Sequence, residues 1–170
     1  MQVIEKVGKV YIDMDGVLVD FDGGVEKMLG IAPPPPGGHR PEEDDRLMWE
    51  RAKNVEHFYD MLEPMPGAIE MFNKLYERFG DSLEVLTGIP KPERGMPTAA
   101  LDKEDWIHRF LSQDIKVNPV RRRDKPLFCT GKEDILIDDL KDNIEAWEKA
   151  GGTGILHRDP EETLRLLLEI

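Results

Sequence analysis

The stretch "YIDMDGVLVDF", residues 11 to 21, sets three aspartates into a run that is otherwise almost wholly apolar. With the residues before it, "KVYIDM" at 9–14 reads as a strand that ends in acids. Gly16 then permits backbone angles closed to other residues, so the chain turns there. Burying an unpaired carboxylate costs several kcal/mol or raises its pKa until it is neutral, so Asp13 and Asp15 call for a metal, a partner or a chemical task. Residues two apart on a strand point to the same face, which lets both acids address one site if the strand geometry persists that far.

The same pattern recurs at "DILIDD", residues 134 to 139, an apolar strand that ends in Asp138 and Asp139 and leads into the helix "LKDNIEAWEKAGG", closing on Gly151. Between the two lie "PMPGAIEMFNKLYERFG", the strand "LEVLTG" at 83–88, the loop "IPKPERGMPTAAL", the helix "DKEDWIHRFLSQ" and the weaker strand "IKVNPV". In the first of these, Pro66 suits an opening helical turn and Gly80 a stop, while Ala68, Ile69, Phe72, Leu75, Tyr76 and Phe79 share a face. In the second helix Trp106, Ile107, Phe110 and Leu111 lie on one side, marking Trp106 for core packing. The strand "GILH" precedes "DPEETLRLLLEI", where Asp159, Pro160 and Glu162 supply an N-cap, a first-turn proline and a capping-box acid.

Strands alternating with helices predict an α/β fold, a Rossmann-like three-layer sandwich around a mostly parallel sheet. From Asp22 to Pro64 the character changes. "APPPPGGHRP" is too rich in proline and glycine for a regular element, and the helix "EEDDRLMWERAKNV" follows it. This predicts a core of residues 1–21 and 65–170, with a small helical cap inserted at 22–64.

A length of 170 residues suits one domain with such an elaboration. Thirty-five acids against twenty-three bases give a formal charge of −12, which opposes binding to a nucleic-acid polymer. No apolar run is long enough to span a bilayer, and "MQVIEKVGKV" lacks the apolar core of a secretory signal, so no membrane partner and a cytoplasmic location are expected. The single cysteine, Cys129, excludes an intramolecular disulfide and reads as a small, half-buried residue. His39, His57, His108 and His157 show no ligand spacing and are assigned no chemistry.

In a parallel α/β sheet, ligands gather at the carboxyl ends of the strands. Three strand ends carry chemistry here: Asp13 with Asp15, Thr87, and Asp138 with Asp139. Clustered carboxylates repel one another and call for a cation. Mg²⁺, a hard ion with oxygen ligands, relieves that repulsion and can hold a phosphate oxygen as well.

The segments "DMDGVLVDF", "LTG", "RDK" and "ILIDDLKDNIEAW" together resemble the four motifs of the haloacid dehalogenase superfamily of phosphohydrolases. Within it, "EPMPGAIEM" and the tryptophan of "DKEDWI" make the chain most similar to the 5′(3′)-deoxyribonucleotidases. The resemblance implies a Mg²⁺-dependent phosphomonoesterase acting on nucleoside monophosphates, deoxyribonucleotides above all, through an aspartyl-phosphate intermediate. It implies Asp13 as nucleophile and Asp15 as acid and then base. Asp13, the backbone carbonyl of Asp15 and a carboxylate of the Asp138/Asp139 pair would be metal ligands. Thr87 and Lys125 would bind phosphate, and Phe21 would lie against the substrate's base, a role that Trp49 and Phe58 could share.

Two departures from the family pattern stand out. Gly88 replaces the usual serine after Thr87, which leaves a backbone N–H in place of a hydroxyl donor. The spacing from "RDK" to "IDD" is wide, so Lys132 competes with Lys125 for the lysine role. "RRRDK" could guide phosphate or be a solvated loop. Two alternatives to the nucleotide reading stay open: a phosphatase for another small metabolite such as a sugar phosphate, and a catalytically idle relative that binds phosphate or a protein. A small-molecule phosphomonoester is the expected partner, with a homodimer left open.

Overall fold

The computed structural model describes residues 6–169, so the first half of "MQVIEKVGKV" and Ile170, the final residue of "DPEETLRLLLEI", lie outside the described residues. Five short apolar runs form β1 (Val10–Ile12), β2 (Leu83–Gly88), β3 (Lys116–Val120), β4 (Ile135–Asp138) and β5 (Thr153–Leu156). They pair in parallel in the order β3-β2-β1-β4-β5. The sheet is parallel throughout, and Val10 and Ile12 of its central strand align with Leu83 and Val85 on one side and with Ile135 and Ile137 on the other. Pro119 sits in β3, which is tolerated because β3 is an edge strand.

The helices are α1 (Phe21–Leu29), α2 (Glu42–Ala52), α3 (Ala68–Phe79), α4 (Ala99–Phe110), α5 (Lys141–Lys149) and α6 (Pro160–Leu168). Strand periodicity divides the core between the two faces of the sheet. Val10, Ile12, Val85, Ile135 and Ile137 pack in a large cluster with Phe72 and Leu75 of α3, Trp106 and Ile107 of α4, and Leu167 of α6. The alternate residues Tyr11, Leu86 and Leu136 pack on the opposite face with Ile144 and Trp147 of α5. Each fully buried aliphatic side chain contributes about 1.5–3 kcal/mol, so a sheet covered on both faces needs no further layer. Segment 22–64 adds Val25, Leu29, Met48, Phe58 and Leu62 to the larger cluster, so its apolar side chains are continuous with those of the sheet.

Several boundaries differ from the sequence reading. The strand β1 stops at Ile12, before the acids, because the chain folds back on itself: Leu18 and Val19 both donate backbone hydrogen bonds to Met14 O, at 2.8 and 2.9 Å. Pro66 lies outside α3, whose N-cap is Gly67, and α4 begins about one turn before Asp102, at Ala99. The helix α1 was not expected, since "DGG" at its start argues against helix. Asp20 caps it by accepting from Gly23 N at 2.9 Å, and a Cβ on Gly24 would stand 2.2 Å from Leu62 Cδ2, so close packing requires glycine there. At α6 the expected cap is present: Asp159 accepts from Glu162 N at 2.9 Å and Pro160 opens the helix. No helix among the described residues is long and apolar enough to cross a membrane.

Candidate active site

The chain runs from β1 outward to β2 and β3 on one side, and from β4 to β5 on the other, so the order reverses between β1 and β4. A crevice opens beyond the carboxyl ends of strands at such a reversal. Asp13 follows β1, Asp138 ends β4 and Asp139 follows it, which places all three at that crevice. Their carboxylates offer oxygens that lie within 4.8 Å of one another. Gly16 makes the approach possible: its φ is +83°, and a Cβ there would stand 2.1 Å from Asp139 Oδ2.

Such a cluster is electrostatically self-opposed. Burial and the nearby Asp13 carboxylate push Asp138 up to about 6, and burial with repulsion from Asp13 and Asp138 pushes Asp139 up to about 8. Oxygen-only donors, crowded and reluctant to ionise together, fit a hard divalent cation such as Mg²⁺.

Lys125 is buried in the 3₁₀ segment Arg122–Phe128, and its Nζ donates to Asp13 Oδ1 and to Asp138 Oδ2, each at 2.9 Å. Burial alone favours the neutral amine, yet the two carboxylates outweigh it and hold the pKa of Lys125 above the ordinary lysine value. Lys132, its competitor in the sequence, is exposed. Asp138 is anchored further by Leu140 N at 2.9 Å and Asn143 Nδ2 at 3.0 Å. The first acid of "DILIDD" does something else: Asp134 accepts from Lys9 N and from Thr130 N and Oγ1, tying loops together at the opposite end of β4.

Asp15 reaches the crevice from the turn after β1, not from a pleated strand. Its Oδ2 accepts from Lys103 Nζ at 2.9 Å, while its Oδ1 is buried with no hydrogen-bond partner among the described residues. Lys103 is fully buried on α4 and also donates to Thr87 Oγ1 at 2.9 Å and Gly88 O at 2.6 Å. Thr87 and Gly88, at the end of β2, thus join the site through this ammonium. The Tyr59 ring centroid lies 4.5 Å from the same Nζ, and burial and the Asp15 charge keep the Tyr59 phenol well above its ordinary value.

Sequence reading missed Lys103, although a signal existed: on a helix it shares the face of Trp106 and Ile107, three and four residues on. Trp106 is core, as its apolar face suggested, with Nε1 donating to Leu62 O at 2.8 Å. Phe21 is half-buried among aromatics, with ring centroids 6.1 Å from Phe58, 6.1 Å from Tyr59 and 6.3 Å from Trp49. Cys129 is half-buried and free. Of the histidines, His57 was underread: its Nδ1 lies 2.8 Å from Asp102 Oδ1.

No family model matches the chain. Among curated proteins it is similar to the mitochondrial 5′(3′)-deoxyribonucleotidase of Homo sapiens, at 29% identity over 151 residues, which cover 79% of this chain and 63% of that protein. The chain thus spans less than two thirds of that relative's length. Among solved structures it is similar to a haloacid dehalogenase-superfamily hydrolase from Ehrlichia chaffeensis, with a TM-score of 0.65 and 13% identity, covering 98% of each chain. A haloacid dehalogenase-family enzyme of Bacteroides thetaiotaomicron, solved with magnesium and inorganic phosphate, matches with a TM-score of 0.51 and 15% identity over 95% of this chain and 99% of that one. The fold is haloacid dehalogenase-like, and the sequence is related to the deoxyribonucleotidases.

Proposed function

We propose that this haloacid dehalogenase-like chain, a sequence relative of the 5′(3′)-deoxyribonucleotidases, is a Mg²⁺-dependent phosphomonoesterase for nucleoside monophosphates, deoxyribonucleotides first among them. The observation that carries the reading is the pairing of each working acid with its own buried ammonium: Asp13 with Lys125, and Asp15 with Lys103. Two cations beside two acids at a sheet's carboxyl edge suit a phosphoryl group, whose three peripheral oxygens carry charge through transfer.

In this reading Asp13 attacks phosphorus, the bond from phosphorus to the ester oxygen breaks, and an aspartyl phosphate forms. Asp15 gives its proton to the departing nucleoside oxygen from Oδ1, the oxygen that Lys103 leaves unengaged. Asp15 then takes a proton from the water that attacks the aspartyl phosphate, which releases inorganic phosphate and restores Asp13. Lys125, Thr87 and the backbone N–H of Gly88 hold the phosphoryl oxygens. Asp13, the backbone carbonyl of Asp15 and a carboxylate of the Asp138/Asp139 pair would hold Mg²⁺, which when bound neutralises phosphate charge.

Segment 22–64 is the cap of this proposal. It sets Trp49 beside Phe21, two half-buried rings on which a base can stack for roughly 1–3 kcal/mol, whereas Phe58, expected to share that role, is buried in the core with Tyr59 and only backs these rings. A sugar-phosphate site would more readily present hydrogen-bonding groups there.

The test is a panel of deoxyribonucleotides, ribonucleotides and sugar phosphates assayed with Mg²⁺ and with chelator, for the wild type and Asp13→Asn. Hydrolysis that needs Mg²⁺, favours nucleotides and vanishes in the folded Asp13→Asn protein is expected. Higher kcat/KM for sugar phosphates than for every nucleotide would overturn the substrate class, and turnover by Asp13→Asn would overturn the nucleophile.

A further inference from the structure

The proline-rich stretch before α2 ends in Arg40, whose side chain is only 9% exposed although it rises from a loop. Its guanidinium carbon lies 5.9 Å from the Phe21 ring centroid, and its Nη2 donates to Asp22 Oδ1 at 2.6 Å. The Nε is buried and finds no acceptor among the described residues. A buried N–H left unmet loses its hydration without recompense, so an acceptor that arrives from outside the chain is favoured there. Pro41 follows directly, and the residue before a proline is held extended, so the loop presents Arg40 at little entropic cost.

The position of Arg40 identifies which part of a ligand it meets. Lys103 touches the Tyr59 ring, Tyr59 stands beside Phe21, and Phe21 lies under Arg40. Two aromatic rings therefore lie along the path of contacts from the phosphate-side ammonium to this guanidinium. A phosphate beside Lys103 and Lys125 would be served by their charges, and Arg40 lies at the far end of that path, beyond both rings. Guanidinium is planar, carries five N–H donors and accepts nothing, so it recognises in-plane acceptors such as the carbonyl oxygens and ring nitrogens of a base edge.

We propose that Arg40 is a specificity-determining residue that donates hydrogen bonds to acceptor atoms on the edge of a nucleobase stacked on Phe21. The assignment rests on the nucleotide reading of the site, and its test separates the two. Binding of deoxyguanosine 5′-monophosphate and of base-free deoxyribose 5-phosphate is measured by calorimetry in the Asp13→Asn background, with Arg40 and with Arg40→Met. Loss of a charge-assisted hydrogen bond is expected to weaken nucleotide binding roughly tenfold to a hundredfold, with a far smaller change for the base-free phosphate. In the otherwise wild-type enzyme the same selectivity loss is expected in KM, with kcat moved less.

Arg40→Lys keeps the charge without the planar fork and is expected to share the defect. Asp22→Asn, which removes only the ion pair, reads out a structural role through thermal unfolding. Equal weakening of both ligands, or an Asp22→Asn protein that reproduces the whole Arg40→Met defect, overturns the assignment. Nucleotide-selective loss of binding in a protein that hydrolyses no phosphomonoester upholds Arg40 and overturns the phosphatase reading instead.

Discussion

Lys103 Nζ stands 2.9 Å from Asp15 Oδ2 and leaves Oδ1 of the same carboxylate buried and unpartnered. The ammonium thereby fixes which oxygen of Asp15 is paired and which is left for the acid role proposed for it. Its remaining donors are taken by Thr87 Oγ1 and Gly88 O, so it has no rotational freedom. Lys103→Met is expected to lower kcat on the order of 10²-fold, since a preorganised charge and the orientation of the acid are lost together. Lys103→Arg is expected to fail as a rescue, because a planar fork does not fit three acceptors converging on one nitrogen beneath the Tyr59 ring. Steady-state kinetics of the two variants decide this, and an active Lys103→Arg enzyme would refute the argument from enclosure.

The two lysines that compete in the sequence give a sharper comparison. Lys125 bridges Asp13 and Asp138, whereas Lys132 is exposed. Lys125→Ala is expected to cost about 10²-fold or more in rate and to destabilise the fold, because it leaves two buried carboxylates without their counter-ion. Lys132→Ala should match the wild type in both rate and Tm. The reverse pattern would move the phosphate-facing role to Lys132.

Why the sequence disclosed so many residues of the candidate site and so little of their surroundings follows from how each residue is specified. Asp13, Asp138 and Asp139 follow buried apolar runs, where an acid contradicts its context and so announces itself. Lys103 contradicts its context too, but a lysine in a solvated-looking "DKED" is hidden by its charged neighbours until the helical face is drawn. The helix α1 was masked by Gly23, where a Cβ would meet the capping Asp20 carboxylate, and by Gly24, whose reason is tertiary: Leu62, far along the chain, packs where its Cβ would stand. Arg40 and Tyr59 owe their positions to a segment with weak periodicity, so only the folded chain brings them beside Phe21.

His57, with φ of +54°, immediately precedes Phe58 and Tyr59, and its pairing with Asp102 ties that segment to α4. Thr98 Oγ1 donates to the other Asp102 oxygen at 2.8 Å. The hydrogen bond and charge of Asp102 raise the His57 pKa above the ordinary 6.5. A raised value means that the folded state favours the imidazolium. The contribution to stability is therefore present below the unfolded value and is lost as pH rises through the folded one. Proton NMR should show His57 titrating above a free histidine, and Asp102→Asn should lower that value. An unchanged His57 titration in Asp102→Asn would show that the contact is not the cause.

The carboxylate cluster predicts an opposite pull between protons and metal. Asp138 is pushed up to about 6 and Asp139 to about 8 from an ordinary 3.8, by burial first and by neighbouring acids second. Raised folded-state values mean that the metal-free fold binds protons more tightly than the unfolded chain. Its stability from these groups is thus full below 3.8 and falls as pH rises through about 6 and about 8. The proposed Mg²⁺ would bind the ionised cluster, so it should restore stability most where protons have left, and its binding near neutral pH should release protons. Thermal unfolding across this range is expected to show a metal-free Tm that declines with pH and a Mg²⁺-induced gain that grows with it. Calorimetry in buffers of different ionisation enthalpy measures the protons released. Asp139→Asn removes one repelling charge, so it should raise the metal-free Tm at high pH and shrink the Mg²⁺ gain. A Mg²⁺ gain independent of pH, or no proton release, would mean that these carboxylates are already ionised without the metal, and the argument for a cation from their mutual repulsion would fall.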